Sequence, residues 1–357
     1  MFHNLKSLIG VSLTLAIALL AVGLSDVIGV EILGYEKSPT SPVILAIIIG
    51  VILGNFAKFS DDIGKGIKFS GEIILRTGIV LLGIRLNLNE LTNYGTKAIP
   101  LIIVCIIAIF LIVKVCIKFL NVSEKMAYLV SIGTGICGAT AIIATAPVIN
   151  AKKEEVTYAV ANITIFGIIA MFLYPFLANI LFDNNAVPIG LFLGTAVHET
   201  AQVAASGLIY TDNYSNAEVM DIATVTKLTR NTFLVLLIPL IAQMYSDQTN
   251  QSQNFSITKI FPYFILGFIG FAVLRSVGDY LIIEQQIDVL NQQTWADVIS
   301  IVKTFSELFL IMAMAGIGML TNFKSLKALG LKPFIVGFIA ATSAGLISLS
   351  YIFIFIV

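Results

Sequence analysis

Long apolar runs, each about the length a helix needs to cross a ~30 Å hydrocarbon layer, recur along the chain with only short polar stretches between them. They fall at 8–24, 41–57, 67–88, 97–120, 126–147, 155–181, 188–209, 218–244, 259–282, 297–320 and 333–357, which gives about eleven spanning helices at roughly 17–25 residues each. The first run follows Lys6 as a secretory signal would. Its end, Val22-Gly23-Leu24, leads into Ser25-Asp26 without a small-x-small cleavage pattern, so it is read as a retained helix. The pattern predicts an all-α polytopic membrane protein forming a single transporter domain over 1–357.

An odd number of spans leaves one leading helix, over 1–30, and ten that divide into a first repeat over 41–181 and a second over 188–357. Two five-helix repeats of opposite topology fit that division. Lys68-Phe69-Ser70 resembles Lys227-Leu228-Thr229 in the register such a repeat demands, while Gly95-Thr96-Lys97 and Gly330-Leu331-Lys332 match in a different one. Lys58, Lys65, Lys118, Lys125, Lys324, Lys327 and Lys332 collect on one side of the predicted membrane. The other side holds Lys37, Lys97, Lys152 and Lys153 and an acidic loop over 210–222. Excess Lys and Arg mark the cytoplasmic side, so the expected orientation is N-terminus in, C-terminus out, in a bacterial plasma membrane.

Composition agrees: 58% of residues are hydrophobic, 12% are charged, and the mean hydropathy is +0.97, against about 25% charged in a soluble domain. Lys plus Arg equals Asp plus Glu at 21 each, so no basic field exists to attract nucleic acid. Cys105, Cys116 and Cys137 sit in apolar runs without metal-type spacing and read as reduced thiols. No G-x-x-x-x-G-K-[ST] loop occurs, which leaves ion gradients as the energy source.

Against this background the ionisable residues inside apolar runs stand out: Glu72, Arg76, His198, Glu199, Lys227, Arg230, Lys303 and Glu307. Each costs about 2.5–3.5 kcal/mol at the bilayer centre, so such groups mark a pathway, a binding site or an internal ion pair. Glu72 and Arg76, like Lys303 and Glu307, are four apart and can pair on their own helices. That leaves Lys227, Arg230 and Glu199 unbalanced. Lys227 and Arg230 share a helix face, with Thr226 and Thr229 beside them. Two cations with hydroxyls suit an oxyanion; structural salt bridges to Glu72 or Glu307 are the other reading. A carboxyl among apolar groups tends to hold its proton, which ranks Glu199 first and Glu307 second for proton coupling, with Glu72 also in that set.

Gly133, Gly135 and Gly138 fall within six residues of one span, and Gly316 and Gly318 interrupt another. Paired interruptions in two halves point to a transporter site built on broken, crossing helices; close helix packing is the other use of such glycines. A break in Gly133–Thr140 would free backbone N–H groups for an anion, with Thr134, Cys137 and Thr140 alongside. His198-Glu199-Thr200-Ala201-Gln202 begins like a zinc-protease motif, but Gln202 replaces the second histidine and His3 is the only other one. His198 and Gln202 are therefore expected to line a cavity, with no metal or other cofactor.

At these residues the chain resembles the YeiH family of bacterial inner-membrane proteins, the sulfate exporter family. The matching stretches are GEIILRTGIVLLGIRLNL from Gly71, GTGICGATAIIATAPVINAKKEEVTYAVANITIFGIIAMFLYP from Gly133, GTAVHETAQVAASG from Gly194, ATVTKLTRN from Ala223 and KTFSELFLIMAMAGIGMLTNFKSL from Lys303. The resemblance implies a fold related to sodium/proton antiporters and bile-acid symporters and carriage of a small substrate. Sodium/proton antiporters carry paired aspartates at the crossing, whereas this chain has no Asp between Asp62 and Asp183, which favours an anion.

The expected function is thus a secondary transporter, an exporter, of a sulfate-like oxyanion or sulfonate, coupled to protons or sodium. The alternative is a monovalent cation/proton antiporter. The expected substrate-binding set is Gly133, Thr134, Gly135, Cys137, Gly138, Thr140, His198, Gln202, Lys227, Arg230, Gly316 and Gly318. Membrane lipid is the surrounding partner, and the leading helix is a candidate homodimer contact.

Overall fold

The computed structural model describes residues 5–32, 41–249, 262–284, 291–321 and 331–357. Lys37, Lys324, Lys327 and Gly330, used above for orientation and repeat register, lie outside them. The described residues are 88% helical, with no strand among them. The helices are α1 (Leu5–Asp26), α2 (Pro42–Phe56), α3 (Asp61–Phe69), α4 (Leu75–Leu82), α5 (Leu88–Leu120), α6 (Glu124–Gly135), α7 (Ala139–Thr145), α8 (Lys153–Phe182), α9 (Ala186–Ala196), α10 (Thr200–Tyr214), α11 (Glu218–Thr232), α12 (Leu234–Thr249), α13 (Phe264–Gly278), α14 (Gln292–Leu320) and α15 (Leu331–Phe355).

Their starts follow local chemistry. Ser41 caps α2 by accepting from Val43 N at 3.3 Å, with Pro42 in the first turn. Asn87 and Glu90 satisfy one another's backbone N–H groups at 2.9 Å and open α5. Asn291 accepts from Thr294 N at 2.6 Å at the start of α14.

Among the described residues, seven segments are long and apolar enough to cross a membrane: Lys6–Asp26, Leu88–Leu120, Lys153–Phe182, Glu218–Ile241, Phe264–Ile282, Gln292–Leu320 and Lys332–Phe355. Pro42–Phe56 and Ala186–Ala196 are apolar but shorter. Several of the expected spans depart from a continuous α-helix, the 126–147 run among them, where the glycine cluster pointed to a break. The 67–88 run contains a turn of π-helix at Ser70–Ile74, the 126–147 run breaks between α6 and α7, and the 188–209 run breaks between α9 and α10.

The chain divides into two compact units. Unit 1 comprises Met1–Asn93, Gly207–Asp221 and Tyr263–Phe323. It is held by backbone approaches at small residues, the packing mode open to helices in lipid. A Cβ on Gly50 would strike Ala315 O, and one on Gly54 the backbone of Met319, so α2 and α14 touch main chain to main chain. Gly316 and Gly318 belong to this packing. A Cβ there would lie 3.0 Å from Ile67 O and 2.6 Å from Ile47 O respectively. Helix α14 runs unbroken through both glycines. The expected interruption at 316–318 is therefore corrected: the missing side chains admit neighbouring backbone and open no gap in the helix.

Unit 2 comprises Tyr94–Ser206, Ile222–Pro262 and Lys324–Val357. Its apolar core draws on α5, α6, α7, α8, α12 and α15, with Ile109, Leu129, Ile132, Ile142, Ile238 and Ala340 fully enclosed. The hydroxyls of Thr195 on α9 and Ser348 on α15 share a 2.7 Å hydrogen bond inside it. Both helix breaks of the next subsection lie in this unit.

Candidate functional site

Helix α6 ends because its last turn runs into a glycine cluster. Ile136 leaves helical geometry at φ −129°, ψ −91°, and Gly138 adopts φ +71°, ψ −135°. A positive φ of that kind is readily available only to glycine. Gly138 N donates back to Gly133 O at 2.9 Å, closing the turn, and α7 begins at Ala139.

The second break carries no glycine. Val197 turns extended at φ −85°, ψ 140°, ending α9. Gln202 then reaches back to accept from Glu199 N at 3.1 Å and caps α10. The Gln202 carboxamide is pressed into the space left by Gly167 on α8, and its amide donates to Thr164 O at 3.4 Å. Gln202 thus positions the break.

A broken helix leaves backbone carbonyls without partners at each C-terminal stump, and lipid offers none. Helix α11 supplies them. It crosses α9 at Gly194, where a Cβ would lie 2.6 Å from Thr226 Cβ and 2.8 Å from Ala223 O. That close approach aims the next residues at both stumps. Lys227 Nζ donates to Val197 O at 3.0 Å and to His198 O. Arg230 donates through Nε to Gly135 O and through its terminal nitrogens to Thr134 O and Thr195 O. Both side chains are 0% exposed. The two cations therefore cap the C-terminal ends of α6 and α9, where the helix dipole is negative. Expected ion pairs of Lys227 and Arg230 with Glu72 or Glu307 are replaced by these carbonyls, because the stumps lie within their reach in the same unit.

Glu199 brings the carboxylate. Its Oε1 accepts from Ala139 N at 3.3 Å, and its Cγ occupies the space beside Gly138 where a Cβ would otherwise sit. His198 is 1% exposed, with neither ring nitrogen hydrogen-bonded, and the enclosed hydroxyls of Thr134 and Thr226 are likewise without partners. Cys137 and Glu199 keep partial exposure and Thr140 is exposed. The structure thus brings together Gly133, Thr134, Gly135, Cys137, Gly138, His198, Glu199, Gln202, Lys227 and Arg230 at the two breaks.

Glu72, Glu307, Gly316 and Gly318 belong to unit 1. Glu72 is exposed and lies 3.8 Å from Lys68, one turn before it, in place of the expected Arg76. Glu307 accepts from Arg85 at 3.1 Å in place of Lys303. Arg85 also donates to Asp221 at 2.7 Å, so its guanidinium joins the helical turn after α4 to the first turn of α11 and to α14. Arg85 and Asp221 escaped sequence reading. The same rule of ionisable residues in apolar runs applies to Arg85, while Asp221 was absorbed into the neighbouring acidic loop.

These features define a polytopic helical membrane protein with a charged crossing of two interrupted helices. The family model described as conserved hypothetical protein 698 matches residues 9–337. A UPF0324 membrane protein of Fusobacterium nucleatum subsp. nucleatum is 35% identical over 316 residues, 87% of this chain and 89% of that protein. One from Streptococcus agalactiae serotype V is 35% identical over 309 residues, covering 86% and 87%. Another from Pasteurella multocida is 34% identical over 301 residues, covering 83% of each chain. No solved structure matches the chain. The chain belongs to the conserved hypothetical protein 698 family, and its relatives bear out a multi-pass membrane protein.

Proposed function

We propose that this protein is a secondary carrier, working as an exporter, for a small oxyanion or sulfonate, moved by alternating access and driven by an ion gradient. The observation that carries the reading is the charge at the crossing. Among the described residues at the two breaks, Lys227 and Arg230, both 0% exposed, outnumber the single carboxylate, Glu199. Burying two cations for structure alone is costly in lipid; a site that exchanges anions has a use for the excess. The unpartnered His198, Thr134 and Thr226 side chains offer hydrogen-bonding groups suited to oxyanion oxygens. The resemblance to sulfate exporter proteins points the same way, as does the fold relationship to ion-coupled carriers with broken helices that it implies.

The test is thermal unfolding of the purified protein with sulfate, sulfite, thiosulfate, taurine, bicarbonate, small carboxylates and sodium, because a ligand selective for the folded state raises its apparent stability. An anion is expected to stabilise wild type and to lose that effect in Lys227→Gln, which keeps a donor near the carbonyls without the charge. Stabilisation by sodium alone overturns the anion reading in favour of a cation/proton antiporter.

A further inference from the structure

We propose that Glu199 is a tethered counter-ion that the transported anion must displace, so that one proton is taken up at Glu199 for each anion bound at Lys227 and Arg230. The inference rests on the anion-carrier reading above. It deepens that reading by stating the coupling ion, the stoichiometry and the group that carries the proton.

The order of exposure comes first. His198, Lys227 and Arg230 are at most 1% exposed, while Glu199, Cys137 and Ala139 remain partly exposed. Glu199 is therefore more accessible than either basic side chain at the crossing.

The second observation is how Glu199 is held. A single long hydrogen bond of 3.3 Å, from Ala139 N, reaches its carboxylate. Its Cγ fills the notch beside Gly138, where an added Cβ would also come within 3.1 Å of Oε1. The carboxylate has a fitted seat but a weak tie.

The third is the set of groups around it. The basic neighbour of Glu199 is Lys227 from α11, whose ammonium donates to Val197 O and to His198 O, the residue next to Glu199 in the chain. Arg230 lies one turn beyond Lys227. Among the described residues, no second carboxylate shares this crossing to balance Lys227 if Glu199 leaves. An anion that takes the place of Glu199 leaves a carboxylate without its counter-charge in a low-dielectric setting, and a proton from solvent neutralises it. The proton then resides on a carboxylate oxygen of Glu199, and the anion takes over its role opposite Lys227. By reciprocity, proton and anion each strengthen the binding of the other. His198, with both ring nitrogens unpartnered and enclosed, is a ready donor or acceptor for the incoming oxyanion.

The experiment measures binding of potassium sulfate and potassium methanesulfonate to the purified full chain between pH 5.5 and 7.5, a range in which the fully ionised forms of both probes persist. Proton uptake is read at the same time in weakly buffered solution. Wild type should bind more tightly by up to about tenfold per pH unit of acidification, taking up about one proton per anion. Glu199→Gln should bind with no pH dependence and no proton uptake. Glu199→Asp, which draws the carboxylate out of the notch, should shift the pH dependence without abolishing it. Anion binding by wild type without proton uptake overturns the coupling, and so does a pH dependence that survives in Glu199→Gln. Those results leave the carrier reading in place, whereas failure of both probes to bind wild type at any pH, or equal binding to Lys227→Gln, overturns that reading as well.

Discussion

Replacing Arg230 by lysine tests whether a branched donor group is needed at the crossing. The guanidinium serves three carbonyls, Thr134 O and Gly135 O at the end of α6 and Thr195 O at the end of α9. A lysine keeps the charge but concentrates its donors at one atom, which cannot span two helix stumps as the planar group does. If two carbonyls lose their partners, at about 1–3 kcal/mol for each buried unsatisfied group, the loss is about 2–6 kcal/mol. That is a large part of the roughly 5–15 kcal/mol that separates folded from unfolded proteins. The assay is loss of helical circular dichroism on titration with a denaturing detergent, or, where unfolding is irreversible, the half-life at fixed temperature. A loss below about 1 kcal/mol would refute the reasoning, because the stump carbonyls would then be finding other partners.

Arg85→Met should cost about 3–5 kcal/mol by stranding acidic partners. A double-mutant cycle should show stronger coupling to Asp221, whose side chain is 15% exposed, than to Glu307, which is 38% exposed and screened by solvent. Gly54→Ala should destabilise by about 1–3 kcal/mol, since its Cβ meets Met319 backbone, whereas Gly23→Ala, with nothing within 4 Å, should be neutral or stabilising in the same unfolding assay. Gln202→Leu removes the cap on Glu199 N and should lower stability by about 0.5–2 kcal/mol, read by thermal unfolding.

The interruption at 133–138 was legible because three glycines cluster there, and one of them takes a backbone conformation that side chains resist. The interruption at 197–199 was not, because Ala196-Val197-His198-Glu199 holds neither Gly nor Pro. Its signal lies in chemistry: a polar pair inside an apolar run, with Gln202 three residues after Glu199 at capping distance. The glycines at 316 and 318 misled for the opposite reason, since the residue type that permits a break also permits two backbones to touch. The helical, membrane-spanning character was plain from run length and composition. Lys227 and Arg230 could be picked by type and placed on one face, but their partners are carbonyls, which every residue has and no sequence pattern marks.

The two classes of substrate ask different things of this crossing. A cation entering it must compete with Lys227 and Arg230, which make five hydrogen bonds to the stump carbonyls from fully enclosed positions. Giving those up would expose the orphan carbonyls of α6 and α9 to lipid-like surroundings. An anion competes instead with Glu199, which is partly exposed and tied by one 3.3 Å bond. The charge left on a departing carboxylate can be neutralised by a proton, whereas a guanidinium keeps its charge throughout the physiological range. The exchangeable member of the charge set is therefore the carboxylate. On the carrier reading proposed above, two enclosed basic side chains beside one loosely held acid favour an anionic cargo over a cationic one.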